Sequence, residues 1–133
     1  PLPGPCALIT GLVGSGLPTD SFIFLGFLRK KTGKMKKELL SAAGTGKTIV
    51  FYESPHRVVK TVEVCKEVFG AGTNIVLARE LTKKFEEFIR GSIDEVINKL
   101  KTREIKGEFV IIISPVNKES DGFSGAYDEN ELQ

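Results

Sequence analysis

Four short apolar runs of strand length, Ser21–Phe27 (SFIFLGF), Thr48–Glu53 (TIVFYE), Asn74–Arg79 (NIVLAR) and Glu108–Ser114 (EFVIIIS), are separated by stretches whose apolar residues recur at helical spacing. That alternation constrains the fold most, because strands need partner strands and a one-faced helix needs a sheet to cover. Pro5 opens a helix carrying Ala7, Leu8, Ile9, Leu12 and Val13. Met35, Leu39, Leu40 and Ala43 mark a second, closed near Gly44 and Gly46. A third starts at Ser54-Pro55, with Ser54 as the expected cap, Val58, Val62, Cys65 and Phe69 as its stripe and Gly70 as its stop. Ser92-Ile93-Asp94-Glu95 matches a capping box ahead of a fourth, which carries Val96, Ile97 and Leu100. Glu86–Gly91 reads as a further strand, and Glu108–Ser114, apolar on both faces, is expected to be central. The predicted fold is a single α/β domain with a mixed, mostly parallel five-stranded sheet flanked by helices.

With 133 residues the chain has room for one core. No apolar run approaches the roughly 20 residues that cross a bilayer, so a membrane role is not expected. Cys6 and Cys65 show no C-x-x-C spacing and His56 is the single histidine, which points to a reducing, cytoplasmic setting and to no metal site. The opening Pro1-Leu2-Pro3-Gly4-Pro5 is a turn of the kind that follows an earlier element, so a piece of a longer protein is expected. Charge is uneven: residues 1–66 hold ten basic and four acidic side chains, residues 67–133 nine and thirteen. Much of the acid falls in 117–133, which reads as an acidic flexible tail after a domain spanning 1–116.

Gly44-Thr45-Gly46-Lys47-Thr48 has the end of a phosphate-binding loop, yet Ser41 stands where its first glycine is required. It also follows a helix and precedes a strand, the reverse of the order such a loop needs, so a helix stop and turn is the better reading. Arg29-Lys30-Lys31-Thr32-Gly33-Lys34-Met35-Lys36-Lys37 places six cations in nine residues with no acid. Such a run is commonly a solvated face, but it begins in a loop after a strand, where clustered cations attract phosphate backbones. No aromatic residue interleaves it, so base stacking by this segment is not indicated. Glu53-Ser54-Pro55-His56-Arg57 lies at a strand end and helix start, where open α/β sheets place ligand crevices. Arg79-Glu80-Leu81-Thr82-Lys83-Lys84-Phe85-Glu86-Glu87-Phe88 follows another strand with an ionic cluster whose bland reading is a surface ion-pair network.

Five segments occur in an order that carries a family resemblance: Pro3-Gly4-Pro5-Cys6-Ala7, Ser15-Gly16-Leu17-Pro18-Thr19-Asp20, Phe51-Tyr52-Glu53-Ser54-Pro55-His56-Arg57, Ala78–Glu87 and Lys106-Gly107-Glu108-Phe109-Val110. Together they resemble the C-terminal domain of the small-subunit ribosomal RNA methyltransferase I family, within the tetrapyrrole methylase superfamily. Cys6 stands where that family usually has serine, and the usual proline after Leu28 is absent. The resemblance implies a two-domain, S-adenosylmethionine-dependent enzyme that methylates a cytidine ribose 2′-hydroxyl of small-subunit ribosomal RNA, commonly as a homodimer. It implies a cofactor side including Cys6, Ala7, Phe51, Tyr52, Gly107 and Glu108, with the N-terminal domain absent here. Glu53, His56 and Glu80 are open candidates for a catalytic base. Arg29, Lys30, Lys31, Arg57, Lys83 and Lys84 are the candidate RNA contacts. Two other readings are a methyltransferase domain acting on a tetrapyrrole, and a folding or dimerisation module inactive on its own.

Overall fold

The computed structural model describes residues 21–82 and 85–115, with backbone alone for 80–82 and 85–86. The helix expected after Pro5, Cys6, Ala7, Lys83, Lys84 and the acidic tail lie outside the described residues. Five strands, β1 (Phe22–Phe27), β2 (Thr48–Glu53), β3 (Asn74–Thr82), β4 (Phe85–Ser92) and β5 (Glu108–Ile113), alternate with three helices, α1 (Thr32–Ala43), α2 (Val58–Phe69) and α3 (Ile93–Lys101). They form one sheet of order β1-β2-β5-β3-β4, with β5 central as its two-faced apolar sequence requires.

The α/β class and the mixed five-stranded sheet are as expected, but the sheet is mostly antiparallel: only β1 and β2 pair in parallel, and β2–β5, β5–β3 and β3–β4 are antiparallel. The physical reason is interleaving. Each helix does join two strands of the same direction, as a crossover must. However, β5 enters between β2 and β3, and β3 lies between β4 and β5, so two of the three crossovers step over an antiparallel neighbour. Strands β3 and β4 pair as a hairpin, and that reversal sends β4 and then β5 the opposite way.

Alternation along the strands divides the side chains between two faces. Ile49, Phe51, Ile75, Leu77, Ile89, Phe109, Ile111 and Ile113 meet the buried stripes of all three helices. Val50, Val76, Val110 and Ile112, with Tyr52, Ala78 and Phe88, form a second cluster on the opposite face. Met35, Leu39 and Ala42 anchor α1, and Val58, Val62, Cys65 and Phe69 anchor α2. Burial pushes the Cys65 thiol up to about 12, with the Glu53 carboxylate adding to it, so this cysteine behaves as a core residue.

Helix α3 starts with the expected capping box: the Glu95 N–H donates to Ser92 Oγ at 3.2 Å and Glu95 Oε1 accepts from the Ser92 N–H at 2.8 Å. Helix α2 departs from expectation. Ser54 does not cap it; residues 55–57 form a turn, with the Arg57 N–H donating to the Ser54 carbonyl at 3.1 Å, and the helix begins at Val58. The Ser54 N–H is drawn to Glu53 Oε1 at 2.8 Å, which organises the connection from the strand side instead. Gly44–Lys47 is the helix stop and turn expected of it, leading from α1 into β2.

Gly91 precedes the capping box at φ 145°, and a Cβ there would lie 2.6 Å from Glu95 Oε1. Gly91→Ala therefore carries both backbone strain and displacement of the capping carboxylate, and is expected to cost about 2–3 kcal/mol. Ser92→Ala, which removes only the cap, should cost about 1 kcal/mol. Urea unfolding of the two variants checks the order; a Gly91→Ala variant as stable as the parent contradicts this account of the α3 start.

Candidate functional site

Because β1, β2 and β3 run one way and β4 and β5 the other, the C-terminal ends of the first three share one edge of the sheet with the N-terminal ends of the last two. That edge gathers residues 28–31, the Glu53–Arg57 turn, the facing ends of β3 and β4, and Lys106–Glu108, segments separated by up to about 80 positions in sequence. Glu53 and Arg79 both stand opposite Phe109, one on each side of β5.

Glu53 is buried on the helical side of the sheet and its two oxygens are engaged: Oε2 accepts from Thr61 Oγ1 at 2.5 Å and Oε1 from the Ser54 N–H. Arg57 Nε lies 3.7 Å from the same Oε1, while Arg57 Nη2 donates to the Lys30 carbonyl at 3.3 Å. Arg57 thus ties the β1–α1 loop to the β2–α2 turn, a tether that its position 27 residues downstream of Lys30 does not disclose in sequence. His56 is exposed in the turn between them.

Arg29, Lys30 and Lys31 are exposed at the start of α1, and Lys34 and Lys37 follow on its surface. The Arg29 N–H donates to Glu38 Oε1 at 2.8 Å, and Arg29, Lys34, Lys37 and Glu38 line a shallow hollow. This charge has the wrong sign for its place. The helix N-terminus carries partial positive charge, the first turn of α1 holds no acid, and Lys31 at the N-cap offers no side-chain hydrogen bond. A local arrangement that opposes its own helix is expected where function rather than stability selects the residues.

Of the candidate cofactor residues, Phe51 is fully buried in the helical core, so its ring is a packing group. Tyr52 points to the other face, half-buried, and Gly107 and Glu108 lead into β5 beside it. The Tyr52 phenol is raised above its ordinary value, first by burial and then by the Glu108 carboxylate, which places the two in one neighbourhood. Glu80 stands in register with Glu108 on one side and Glu86 on the other, a row of three acids across β5, β3 and β4. An ion-pair network stands nearby: Arg79 Nη2 lies 2.8 Å from Glu87 Oε1, and Arg103 Nη1 pairs with Glu87 Oε2. Among the described residues no group of three His, Cys, Asp or Glu side chains is placed to hold a metal, and no helix is long and apolar enough to cross a membrane.

A fold of this kind is shared with solved methyltransferase structures. The chain belongs to the tetrapyrrole (corrin/porphyrin) methylase family, whose sequence model matches residues 1–97. Among its relatives, a ribosomal RNA small subunit methyltransferase I of Hydrogenobaculum sp. is 50% identical over 117 residues, covering 87% of this chain and 50% of that protein. The protein of the same name from Bacillus subtilis is 44% identical over 119 residues, 90% of this chain and 40% of its own. The chain thus spans half or less of the length of these curated relatives. Of solved structures, the methyltransferase CobJ superposes with a TM-score of 0.59 at 17% identity, covering 80% of this chain and 46% of that one. The cobalt precorrin-4 methyltransferase CbiF does so at 0.58 and 15%, covering 82% and 48%. At such identities these two show the fold alone.

The geometry assigns Glu53 and Thr61 to holding the edge in shape. Glu53→Ala leaves the Thr61 hydroxyl and the Ser54 N–H without their acceptor in a buried place and is expected to cost about 2–4 kcal/mol. Thr61→Val keeps the volume and should cost about 1–2 kcal/mol. Denaturant melts of both variants measure this, and a neutral Glu53→Ala would show that the carboxylate does not anchor the turn.

Proposed function

We propose that this chain forms the C-terminal half of an S-adenosylmethionine-dependent methyltransferase that methylates a cytidine ribose 2′-hydroxyl of small-subunit ribosomal RNA. The observation that carries the reading is the exposed cationic loop Arg29–Lys31 at a helix start with no acid in its first turn, tethered through Arg57 to the turn after β2 at the sheet edge where Lys106–Glu108 also lies. Relatives at 40–50% identity are named for ribosomal RNA, which supports RNA over a tetrapyrrole.

Bound S-adenosylmethionine would supply the methyl group as a sulfonium. Tyr52, Gly107 and Glu108 fit one side of such a cofactor: a half-buried ring, a backbone at φ 83° and an exposed carboxylate able to accept from hydroxyl groups. Methyl transfer needs oxygen, methyl carbon and sulfur in line, and rate comes chiefly from holding that geometry. The anchored turn and tethered loop serve this by fixing the substrate backbone. A ribose 2′-hydroxyl is a weak nucleophile, so the chain's own contribution would be a group that accepts its proton as the methyl is taken from the sulfonium, which would leave as the neutral thioether. Glu53 is committed to its hydrogen bonds, so His56 and Glu80 are the groups of this chain we assign as candidates for that role. Arg57 acts as the tether, and Arg29, Lys30 and Lys31, with Lys83 and Lys84 between β3 and β4, as phosphate contacts.

The test is RNA binding at several salt concentrations by the full protein carrying this chain, with and without alanine at Arg29, Lys30 and Lys31. Phosphate contacts predict a weaker complex and a log–log salt slope reduced by up to about 0.9 for each phosphate no longer neutralised, with cofactor affinity nearly unchanged. An unchanged affinity and slope removes the loop from the RNA interface. Calorimetry should show S-adenosylmethionine binding to the full protein and much weaker binding to residues 1–133; equal binding would place the whole cofactor site within this chain.

A further inference from the structure

Strand β1 lies at the edge of the sheet and carries three of the four exposed large hydrophobic residues among those described, Phe22, Phe24 and Phe27. Their exposure reaches 41% for Phe24 and 66% for Phe27. Strict alternation would send Phe27 to the same face as Ile23 and Leu25, which pack on the helical core. It does not go there. The register slips between Phe24 and Phe27, Gly26 adopts φ 68°, and Phe27 pairs with Tyr52. The Phe27 and Tyr52 ring centroids are 5.4 Å apart, and Phe24 meets Tyr52 edge-on at 5.1 Å. A bulge of this kind re-aims a side chain, here carrying a phenyl ring out of reach of the core and into solvent. A Cβ on Gly26 would meet nothing within 4 Å, so the glycine is required by its φ and not by crowding.

The rings end where the cations begin. Leu28 is buried beneath the loop, and Arg29, Lys30 and Lys31 follow Phe27 directly, exposed. An aromatic platform bordered by positive charge has the composition that proteins use for single-stranded nucleic acid, in which a base stacks on a ring while its phosphates meet lysine and arginine. A protein surface seated here would have to bring its own acidic patch, since residues 29–37 contain no acid; a phosphate backbone brings the charge with it.

From this we infer that Phe27, supported by Phe24 and Tyr52, is a stacking platform for an unpaired base of RNA whose backbone lies on Arg29, Lys30 and Lys31. The inference rests on the RNA reading above and adds to it that the RNA is held unpaired at this edge, by ring contact as well as by charge. The aromatic contribution is not contained in the cationic run itself: its ring precedes the run and reaches the surface only through the bulge.

The experiment compares three probes with the full protein carrying this chain: an oligocytidylate of about 12 nucleotides, an abasic ribo-oligomer of equal length, and a blunt RNA duplex. Phe27→Leu keeps the apolar bulk and removes the π-face. It is expected to weaken oligocytidylate binding about tenfold while changing the abasic and duplex probes by less than about twofold and leaving the salt slope unaltered. Phe27→Tyr should bind as the parent does. Equal weakening on all three probes, no weakening on any, or a changed sedimentation coefficient for Phe27→Leu, showing the ring buried against another part of the protein or a second copy, overturns the platform. If Phe27→Leu is silent while the triple alanine variant shows reduced affinity and slope, the RNA reading stands and this inference falls. If the parent binds none of the probes, both fall.

Discussion

The insertion of β5 between β2 and β3 is the constraint on which the rest of this structure depends. Phe109, Ile111 and Ile113 bury into the helical core while Val110 and Ile112 fill the opposite face, so this strand gains most where sheet neighbours flank it on both sides. Its direction is imposed by the β3–β4 hairpin and the α3 crossover. An antiparallel β5 brings Lys106, Gly107 and Glu108 to the edge where β1, β2 and β3 end; a parallel one would have left them at the opposite side of the domain. The gathering of these segments at one edge is thus a consequence of strand order, to which the apolar sequence of β5 contributes.

Much of this was legible from residue pattern. TIVFYE and EFVIIIS read as buried strands because apolar residues occupy both parities, and the Ser92–Glu95 box reads as a helix start because its hydrogen bonds lie within four residues. Local physics suffices there. Strand neighbours are different: the helical connections disclose that β1 and β2, β2 and β3, and β4 and β5 share directions, but not that β5 and β3 slip in as antiparallel neighbours, which depends on contacts between residues far apart in the chain. Ser54 misled for a related reason. Its residue type suits a cap, yet residues 55–57 close a turn on the Ser54 carbonyl and the helix begins at Val58, while the buried Glu53 carboxylate, held by Thr61 from α2, accepts from the Ser54 N–H.

The site shows the same division. Glu53, His56 and Arg57 are neighbours in sequence, but their side chains diverge: inward to Thr61, outward to solvent and across to the Lys30 carbonyl. Phe51 and Tyr52, adjacent in a strand, point to opposite faces, so a segment suggesting two cofactor contacts supplies one ring to the core and one to the edge. Alternation makes that separation inevitable for neighbours in a strand, and knowledge of which parity faces the helices was enough to foresee it. The exposure of Phe27 was not foreseeable in this way, since it requires the register slip at Gly26.

Stability and placement conflict at this edge, where cations crowd the uncapped start of α1 against its dipole. The neighbouring contacts limit the cost: Glu38 receives the Arg29 N–H, Arg57 holds the Lys30 carbonyl, and Glu87 bridges Arg79 and Arg103. The opposite edge shows a different pattern. There the α3 start has acids in its first turn and a complete capping box, and Lys66 pairs with Asp94 at 2.7 Å. Among the described residues, charge therefore agrees with helix polarity at the start of α3 and opposes it at the start of α1. Both are helix starts of one domain, so the capped and acidic start of α3 serves as the control for that of α1, and the proposed RNA contact supplies at α1 the negative charge that the chain's own first turn lacks.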